Sequence, residues 1–551
     1  MNALTRNIGI VMLFFAVTIA VYATAVRGNF FVEWDDYKLI VENPILQEVS
    51  VRNIRTAFTA YDPELYIPLT FMSYHADRIL GGGWNPSVTH GINLILHTLN
   101  ALLVTWILSV LTGNRKASVI AGLLFAVHPL HTEAVMWASA RKDVLSIFFF
   151  LLSWSSYLQF RRDDARPLRW YATAVFLLFL ALLSKVVVVT LPIVLLMTDY
   201  LQRRRIDFSN IREKSPFFLL SFVFGVIALF GQRSGSSLYY EKFLIGCKAI
   251  FLYLGKLVVP MKFSILYPFT ESISISNPGI LFSVLGVILI SILVFLFRNH
   301  RSLPFAWMFF TVTVLPTMSN FTKSDYYFHD VYVGSDRYAY IASIGVFFLL
   351  AGLISKVQGR LNAALYSVSA LILAVFGYLS YQQSFLWKDT GVLFVNVIRH
   401  YPNSHLAHNN VGAILEKQGK YDLAVGQYRE SLAIRPNERA YYNLAQLYVK
   451  AGRTEEARGM YLLTLEQNPG HTDAKVNLAA LLIRSGSYDE AIVYLQKALE
   501  EEPKHEEAMF NLARAYELSG SRENALGWYR SLLQLTLEDQ EIREKINALL
   551  R

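Results

Sequence analysis

Cysteine is almost absent: Cys247 is the only one in 551 residues. An intramolecular disulfide is therefore excluded, as is any cysteine-based metal site, and cysteine usage says nothing about compartment. Charge is sparse as well, at 17% Asp, Glu, Lys and Arg against about 25% in ordinary soluble domains. No glycine-rich phosphate loop and no dinucleotide fingerprint occurs, so nothing points to a soluble nucleotide site. Apolar residues fill the gap. They make up 54% of the chain, aromatics 14%, and the mean hydropathy is +0.34.

The excess is uneven. Up to about Asn403 the chain is a series of apolar runs, whereas His405 to Arg551 reads as polar and charged. From Ser404 onward there are 18 Lys and Arg against 21 Asp and Glu, so the net +9 arises entirely from the first part. Such a basic excess can mark a nucleic-acid binder. Here the basic residues sit in short loops between apolar runs, which is the orientation pattern of a membrane protein. A helical span needs about 20 apolar residues. Spans are expected at 8–26, 88–111, 118–136, 144–160, 170–184, 186–200, 215–231, 279–297, 304–318, 338–355 and 361–379. The first follows Arg6 and lacks a small-residue cleavage site, so it reads as an uncleaved span.

A twelfth run, 243–259, is decided by the loops. If it does not cross, Arg115, Lys116, Arg161, Arg162, Arg166, Arg169, Arg203, Arg204, Arg205, Arg212, Lys214, Arg298, Arg301, Lys356 and Arg360 all share the side of Arg6. That bias makes 243–259 a re-entrant or interfacial helix. The opposite side then carries the loop 27–87, the turn near Ala140, the loops 232–278 and 319–337, and the C-terminal part.

The C-terminal part repeats itself. Asn410, Asn443, Asn477 and Asn511 keep one phase; so do Gly419, Gly452, Gly486 and Gly520, and Ala424, Ala457, Ala491 and Ala525. Pro436, Pro469 and Pro503 close the first three units. This is the 34-residue tetratricopeptide pattern, two helices per unit. Gly is expected at the turn because a side chain would crowd the pair, Ala where the helices approach closely, and Pro as a stop. A capping helix is expected over 542–550. The predicted fold is thus all-α: a membrane domain over 1–385, a linker over 386–403, and four repeats with a cap over 404–551.

Three constellations carry possible chemistry. The first outer loop holds Glu33, Asp35 and Asp36 beside Trp34 and Tyr37; crowded carboxylates raise one another's pKa, which suits a general base, and the bland alternative is a solvated loop with an aromatic belt. The second is His128, His131 and Glu133, followed by Arg141, Lys142 and Asp143. Ionisable groups at membrane depth are expensive and usually functional. Arg141 and Lys142 suit a phosphate; His128 and His131 with an acid are a conceivable metal site, and a satisfied packing network is the alternative. The third set is His75, Asp77 and Arg78, with His90, Asn93, His97, Lys185, Asp336 and Arg337. All fall on the same side of the eleven-span topology, which suits an anionic, lipid-linked substrate.

Particular strings sharpen this. They are Phe31-Val32-Glu33-Trp34-Asp35-Asp36 with Glu42-Asn43-Pro44, Ile67-Pro68-Leu69-Thr70, His97-Thr98-Leu99-Asn100-Ala101, His128-Pro129-Leu130-His131-Thr132-Glu133-Ala134-Val135, Arg141-Lys142-Asp143-Val144-Leu145, Leu183-Ser184-Lys185, Leu266-Tyr267-Pro268 and Asp336-Arg337-Tyr338. Over nearly its whole length the chain resembles the transmembrane and tetratricopeptide-repeat family, in its bacterial-type form. The resemblance implies a C-type glycosyltransferase fold. Animal members of that family are O-mannosyltransferases using dolichyl-phosphate mannose on the lumenal side, with an acidic first-loop residue expected to be catalytic; Asp35-Asp36 match it. The family's usual Ser-Lys-Glu or Ser-Lys-Pro is Ser184-Lys185-Val186 here, and its late Glu-Arg is Asp336-Arg337.

The expected function is therefore transfer of a sugar from a polyprenyl-phosphate donor to an acceptor, a protein hydroxyl, outside the cytoplasm. Asp36, with Asp35 as alternate, is the expected base. Arg141, Lys142, Lys185 and Arg337 are expected to hold the lipid phosphate, with His75, His128, His131, Glu133 and Asp143 in support. No cofactor is required beyond a possible divalent metal. The repeats would hold the protein acceptor, and the membrane would be a bacterial inner membrane with the repeats periplasmic. The competing reading is a non-enzymatic, membrane-anchored tetratricopeptide scaffold.

Overall fold

The computed structural model describes residues 3–551 except 31–34, 62–64, 164, 232–238, 321, 326–327, 358–360 and 537–538. Glu33 and Trp34 of the outer-loop string lie outside the described residues. The chain divides into two compact units, one ending at Tyr401 and the other comprising Pro402–Arg551 with 325–328. The described residues are overwhelmingly helical; two four-residue strands, Thr322–Asp325 and Phe328–Val331, are the extended exceptions.

Among the described residues of the first unit, seven helices are long and apolar enough to cross a membrane: Thr5–Tyr22, Pro86–Thr112, Ala138–Phe160, Pro167–Ser184, Pro278–Leu296, Asp336–Lys356 and Leu361–Lys388. A bent pair, Arg115–Val127 with Pro129–Met136, makes an eighth, and shorter apolar helices occupy Val186–Leu201, Ser215–Gly231 and Ser302–Met318. Every expected run therefore coincides with a helix. The helix Tyr239–Val258 carries Glu241, Lys242, Lys248 and Lys256 and is not among the spanning candidates. Local signals set the ends: Pro68, Pro86, Pro167 and Pro278 open helices, where a missing N–H costs nothing, and Asn85, Asn114 and Asn277 cap the following amides. The helices are not amphipathic in the soluble sense. Pro278–Leu296 keeps only 17% of its apolar window inside the protein, so its outward Phe282, Leu285 and Leu289 are a lipid-facing surface. The chain is an integral membrane protein.

Pro129 explains the bend of 51°. It donates no N–H, and it pushes His128 into extended backbone at φ −70°, ψ 129°. The carbonyls of Phe125, Ala126 and Val127 thereby lose their helical donors at membrane depth, where unmet backbone groups are costly. Side chains replace them. His131 Nδ1 lies 2.7 Å from the Phe125 oxygen, His97 Nε2 2.9 Å from that of Ala126, and Ser380 Oγ donates to that of Val127 at 2.7 Å.

In the second unit four helix pairs run from His405–Lys417 to Arg522–Thr536, and a ninth helix, Gln540–Leu550, caps the array. Ser404, Asn437, His471 and His505 occupy the equivalent N-cap of each first helix, each accepting from the amide three residues on. Ala424, Ala457, Ala491 and Ala525 are fully buried at the helix crossings. The turn glycines need a different explanation from crowding. Gly419, Gly452, Gly486 and Gly520 all have φ between 72° and 86°, and a Cβ built on any of them would meet nothing within 4 Å. Left-handed backbone, not space, selects glycine there.

The segment expected as a linker, 386–403, is largely structured. After the turn Phe385–Lys388, the helix Thr390–His400 is capped by Asp389 and buries Leu393, Phe394 and Val397 within the first unit.

Candidate functional site

Asp36 sits at the start of the Tyr37–Val41 turn and is fully buried. Its Oδ1 accepts from the Ser139 amide at 3.0 Å and the Ser139 hydroxyl at 2.5 Å. This carboxylate pins the outer loop onto the turn Ala138–Ala140. Asp35, next to it, is exposed, and its charge acts on the buried Lys142. Of the two acids, Asp36 is buried and bonded to Ser139 and Asp35 is open to solvent.

Arg141 is also an anchor. Its guanidinium is completely buried and forms a forked pair with Asp77 at 3.1 and 2.9 Å. Its Nε donates to Asn93 at 2.5 Å, and the remaining N–H groups reach Ser73 Oγ at 3.3 Å and the Thr89 carbonyl at 2.8 Å. Five donors meet five acceptors, which leaves none for a phosphate. Asp77 and Asn93, rather than a ligand, account for this arginine.

The histidines are corrected likewise. His128 takes the Leu130 amide on Nδ1 at 3.1 Å and faces the Leu257 carbonyl through Nε2 at 3.2 Å. His131 is engaged by the Phe125 carbonyl and by Ser343 Oγ at 3.1 Å. With both nitrogens of both rings occupied, the pair does not offer metal ligands, and no cluster of three or more potential ligands occurs among the described residues. His131 mends the broken helix, and His128 steadies the turn through the Leu130 amide. His75 is buried on the helix Pro68–Gly81, and neither ring nitrogen has a hydrogen-bond partner among the described residues. Burial, helped by the Arg78 charge, pulls its pKa below the ordinary value. Nothing places it at the cations discussed next.

What remains is a compact charged cluster. Lys185, at the C-cap of Pro167–Ser184, meets Asp143 at 2.5 Å. Arg337 pairs with Glu133, and its amide also reaches that carboxylate at 3.3 Å. Lys142 lies 5.9 Å from the centre of the Trp137 ring, Arg337 4.6 Å from the same ring, and Lys185 5.8 Å from that of Tyr338. Three cations thus face two buried acids, and Oδ2 of Asp143 has no hydrogen-bond partner among the described residues. Asp336 is turned elsewhere: both its oxygens accept from Tyr267, at 2.7 and 2.9 Å.

Sequence reasoning missed Trp137 and Trp387, whose rings approach at 6.2 Å beside Arg337. A buried aromatic in each of two turn segments was the available signal.

Comparison with known proteins places both units. Tetratricopeptide-repeat family profiles match residues 403–468, 442–503 and 482–546, so the second unit is a tetratricopeptide array. The chain is homologous to proteins named protein O-mannosyl-transferase. It is 31% identical to human TMTC4 over 196 residues, 31% of this chain and 26% of that protein. It is 23% identical to human TMTC3 over 451 residues, 73% of this chain and 48% of that protein, and 33% identical to Drosophila melanogaster Tmtc2 over 139 residues, 24% of this chain and 15% of that protein. The chain spans about half the length, or less, of these relatives. Among solved structures it is similar to MamA from Desulfovibrio magneticus RS-1 (16% identity, 26% of this chain, 82% of that chain, TM-score 0.26) and to YrrB, a tetratricopeptide protein (19%, 33%, 89%, TM-score 0.26).

Proposed function

We propose that this chain is a membrane glycosyltransferase that moves a sugar from a polyprenyl-phosphate carrier to a protein hydroxyl on the face opposite the cytoplasm. The observation that carries it is the convergence of Lys142, Lys185 and Arg337 from three separate elements around the carboxylates of Glu133 and Asp143, with the charge of the exposed Asp35 also acting on Lys142. Ionisable groups gathered at membrane depth are costly and are usually kept for a function, and an incoming phosphate can compete with the carboxylates for these cations. The names of the relatives supply the class of reaction, and the repeats suit a protein acceptor, since such arrays present an extended concave surface.

In this reading Asp35 accepts the proton of the acceptor hydroxyl. The hydroxyl oxygen forms a bond to the anomeric carbon as the bond from that carbon to the phosphate oxygen breaks. The electron pair leaves with the polyprenyl phosphate, and the configuration inverts. Lys142, Lys185 and Arg337 stabilise the charge developing on the departing phosphate. Asp36 and Arg141 hold the turn that presents Lys142.

The test is transfer from a polyprenyl-phosphate mannose donor by membranes holding each variant at matched expression. Asp35→Asn is expected to lose about 10²–10⁴-fold in rate, as for loss of a general base. Asp36→Asn, which keeps an acceptor for Ser139, is expected to lose far less. Full transfer by the double variant would overturn the assignment and favour the scaffold.

A further inference from the structure

At the far end of the membrane unit from Lys185, the segment Arg203–Arg212 is built inside out. The helix Val186–Leu201 separates the two ends by roughly 24 Å. Beyond it the short helix Phe208–Glu213 is capped by Asp207. Its polar face turns inward. Asn210 donates to Asp199 at 2.7 Å, Glu213 pairs with Arg161, and the Glu213 carbonyl accepts from the Tyr171 hydroxyl at 2.6 Å. Asp199 is itself fully buried against Lys214, at 2.7 Å. The apolar face turns outward. Phe208 is 79% exposed, and Ile206 and Ile211 are exposed with it. A helix on a water-facing surface would place these residues the other way round. The next helix, Ser215–Gly231, continues the outward apolar surface through Leu219 and Phe222.

Arginines stand among these apolar side chains. Arg203, Arg204, Arg205 and Arg212 are all exposed, and Arg212 shares a helix face with Phe208, four residues before it. Arg204 lies 3.9 Å from Asp199, whereas Arg203, Arg205 and Arg212 have no ion-pair partner among the described residues. Arg203 also holds φ at 62°, left-handed backbone that ordinarily falls to glycine after a helix. Apolar side chains with free cations between them match a membrane–water interface, where acyl chains and negative headgroups meet. We propose that Arg203–Arg212 binds an anionic phospholipid, with Arg203, Arg205 and Arg212 on the headgroup and Ile206, Phe208 and Ile211 against the acyl chains. The site stands apart from the glycosyltransferase reading, whose cations lie at the other end of Val186–Leu201.

The experiment is calorimetric titration of the full chain in neutral detergent with dioctanoyl phosphatidylglycerol, dioctanoyl phosphatidylcholine and inorganic phosphate. Phosphatidylglycerol is expected to bind at least about tenfold more tightly than phosphatidylcholine, because each arginine at the interface favours a net negative headgroup. Inorganic phosphate, which lacks acyl chains, is expected to bind more weakly than phosphatidylglycerol. The triple variant Arg203→Gln, Arg205→Gln, Arg212→Gln leaves Arg204 to Asp199 and is expected to lose the preference between the two lipids. A control with the same loss of charge, Arg162→Gln, Arg166→Gln, Arg169→Gln, alters exposed arginines of another loop and is expected to keep it. If the first triple variant is not monodisperse, Arg212→Gln with Phe208→Ser is read in its place and should weaken phosphatidylglycerol. No preference in the wild type, an unchanged affinity for phosphatidylglycerol in the readable variant, or an equal loss in the control overturns the site. So does inorganic phosphate binding as tightly as phosphatidylglycerol, which would make the arginines a free-anion site instead.

Discussion

The two units handle charge in opposite ways. In the membrane unit the ionic pairs are buried: Arg141 with Asp77 at 0% and 2% side-chain exposure, and Lys214 with Asp199 at 0% each. In the repeats most pairs lie outside, as in Lys450 with Glu416 and Arg458 with Glu490, although Lys475 is buried beside the exposed Glu501. The repeat core is built instead from alanines, leucines and tyrosines such as Ala457, Leu478 and Tyr529. A charge stripped of water must find its partners in good geometry or destabilise the fold, so each buried pair is a positional commitment. A pair at the surface is screened and nearly interchangeable.

The strongest break of this comparison is Arg141→Met. It strands Asp77, and removing one partner of a buried pair costs roughly 3–5 kcal/mol. The full chain in detergent should lose monodisperse yield and inactivate at lower temperature, while the calorimetric transition of the repeats stays in place. Adding Asp77→Leu should recover much of the loss; a double variant as poor as the single would place the cause in shape rather than charge.

Next is Ala491→Trp in the repeats. Overpacking a closed helix crossing costs roughly 1–3 kcal/mol or more. The repeat transition should fall and membrane insertion should be untouched. An unmoved transition would mean that Ala491 does not lie at the crossing.

A smaller effect is expected at the turns. Gly452→Ala should cost roughly 1–2 kcal/mol, the strain of a Cβ in left-handed backbone. Gly452→Asn should cost less, because asparagine tolerates that region. Crowding would instead rank the two by size, making asparagine the worse, and the melting temperatures decide between them.

Smallest is Arg453→Ala. Its partner Glu456 is exposed beside it, three residues on, and the melting temperature should not change measurably. A clear drop would show that the repeats do use surface charge structurally.

Much of the architecture was legible. Spans follow from runs of apolar residues, because lipid demands a continuous apolar helix surface. The repeats follow from phase, since each unit solves the same packing problem. The structured stretch 386–400 was legible but overlooked: Leu393, Phe394 and Val397 have the spacing of one helical face. The site was harder. His128 and His131 look like ligands as residue types, and only the folded bend at Pro129 shows their ring nitrogens engaged, His131 by the Phe125 carbonyl and Ser343, His128 by the Leu130 amide and the Leu257 carbonyl. Arg141 looks like a phosphate binder until Asp77, Asn93, Ser73 and Thr89 are seen around it, and those come from two other helices.

By itself, then, the sequence determined the membrane helices, the tetratricopeptide array and the side-chain types of the site, because periodicity and hydropathy are local properties of a chain. The tertiary structure decided how the ionisable groups are paired: Asp36 with Ser139, Arg141 with Asp77, Lys185 with Asp143 and Arg337 with Glu133, while Asp35 is left exposed. Burial and partner geometry set that division, and both depend on residues far apart in the chain that only folding brings together.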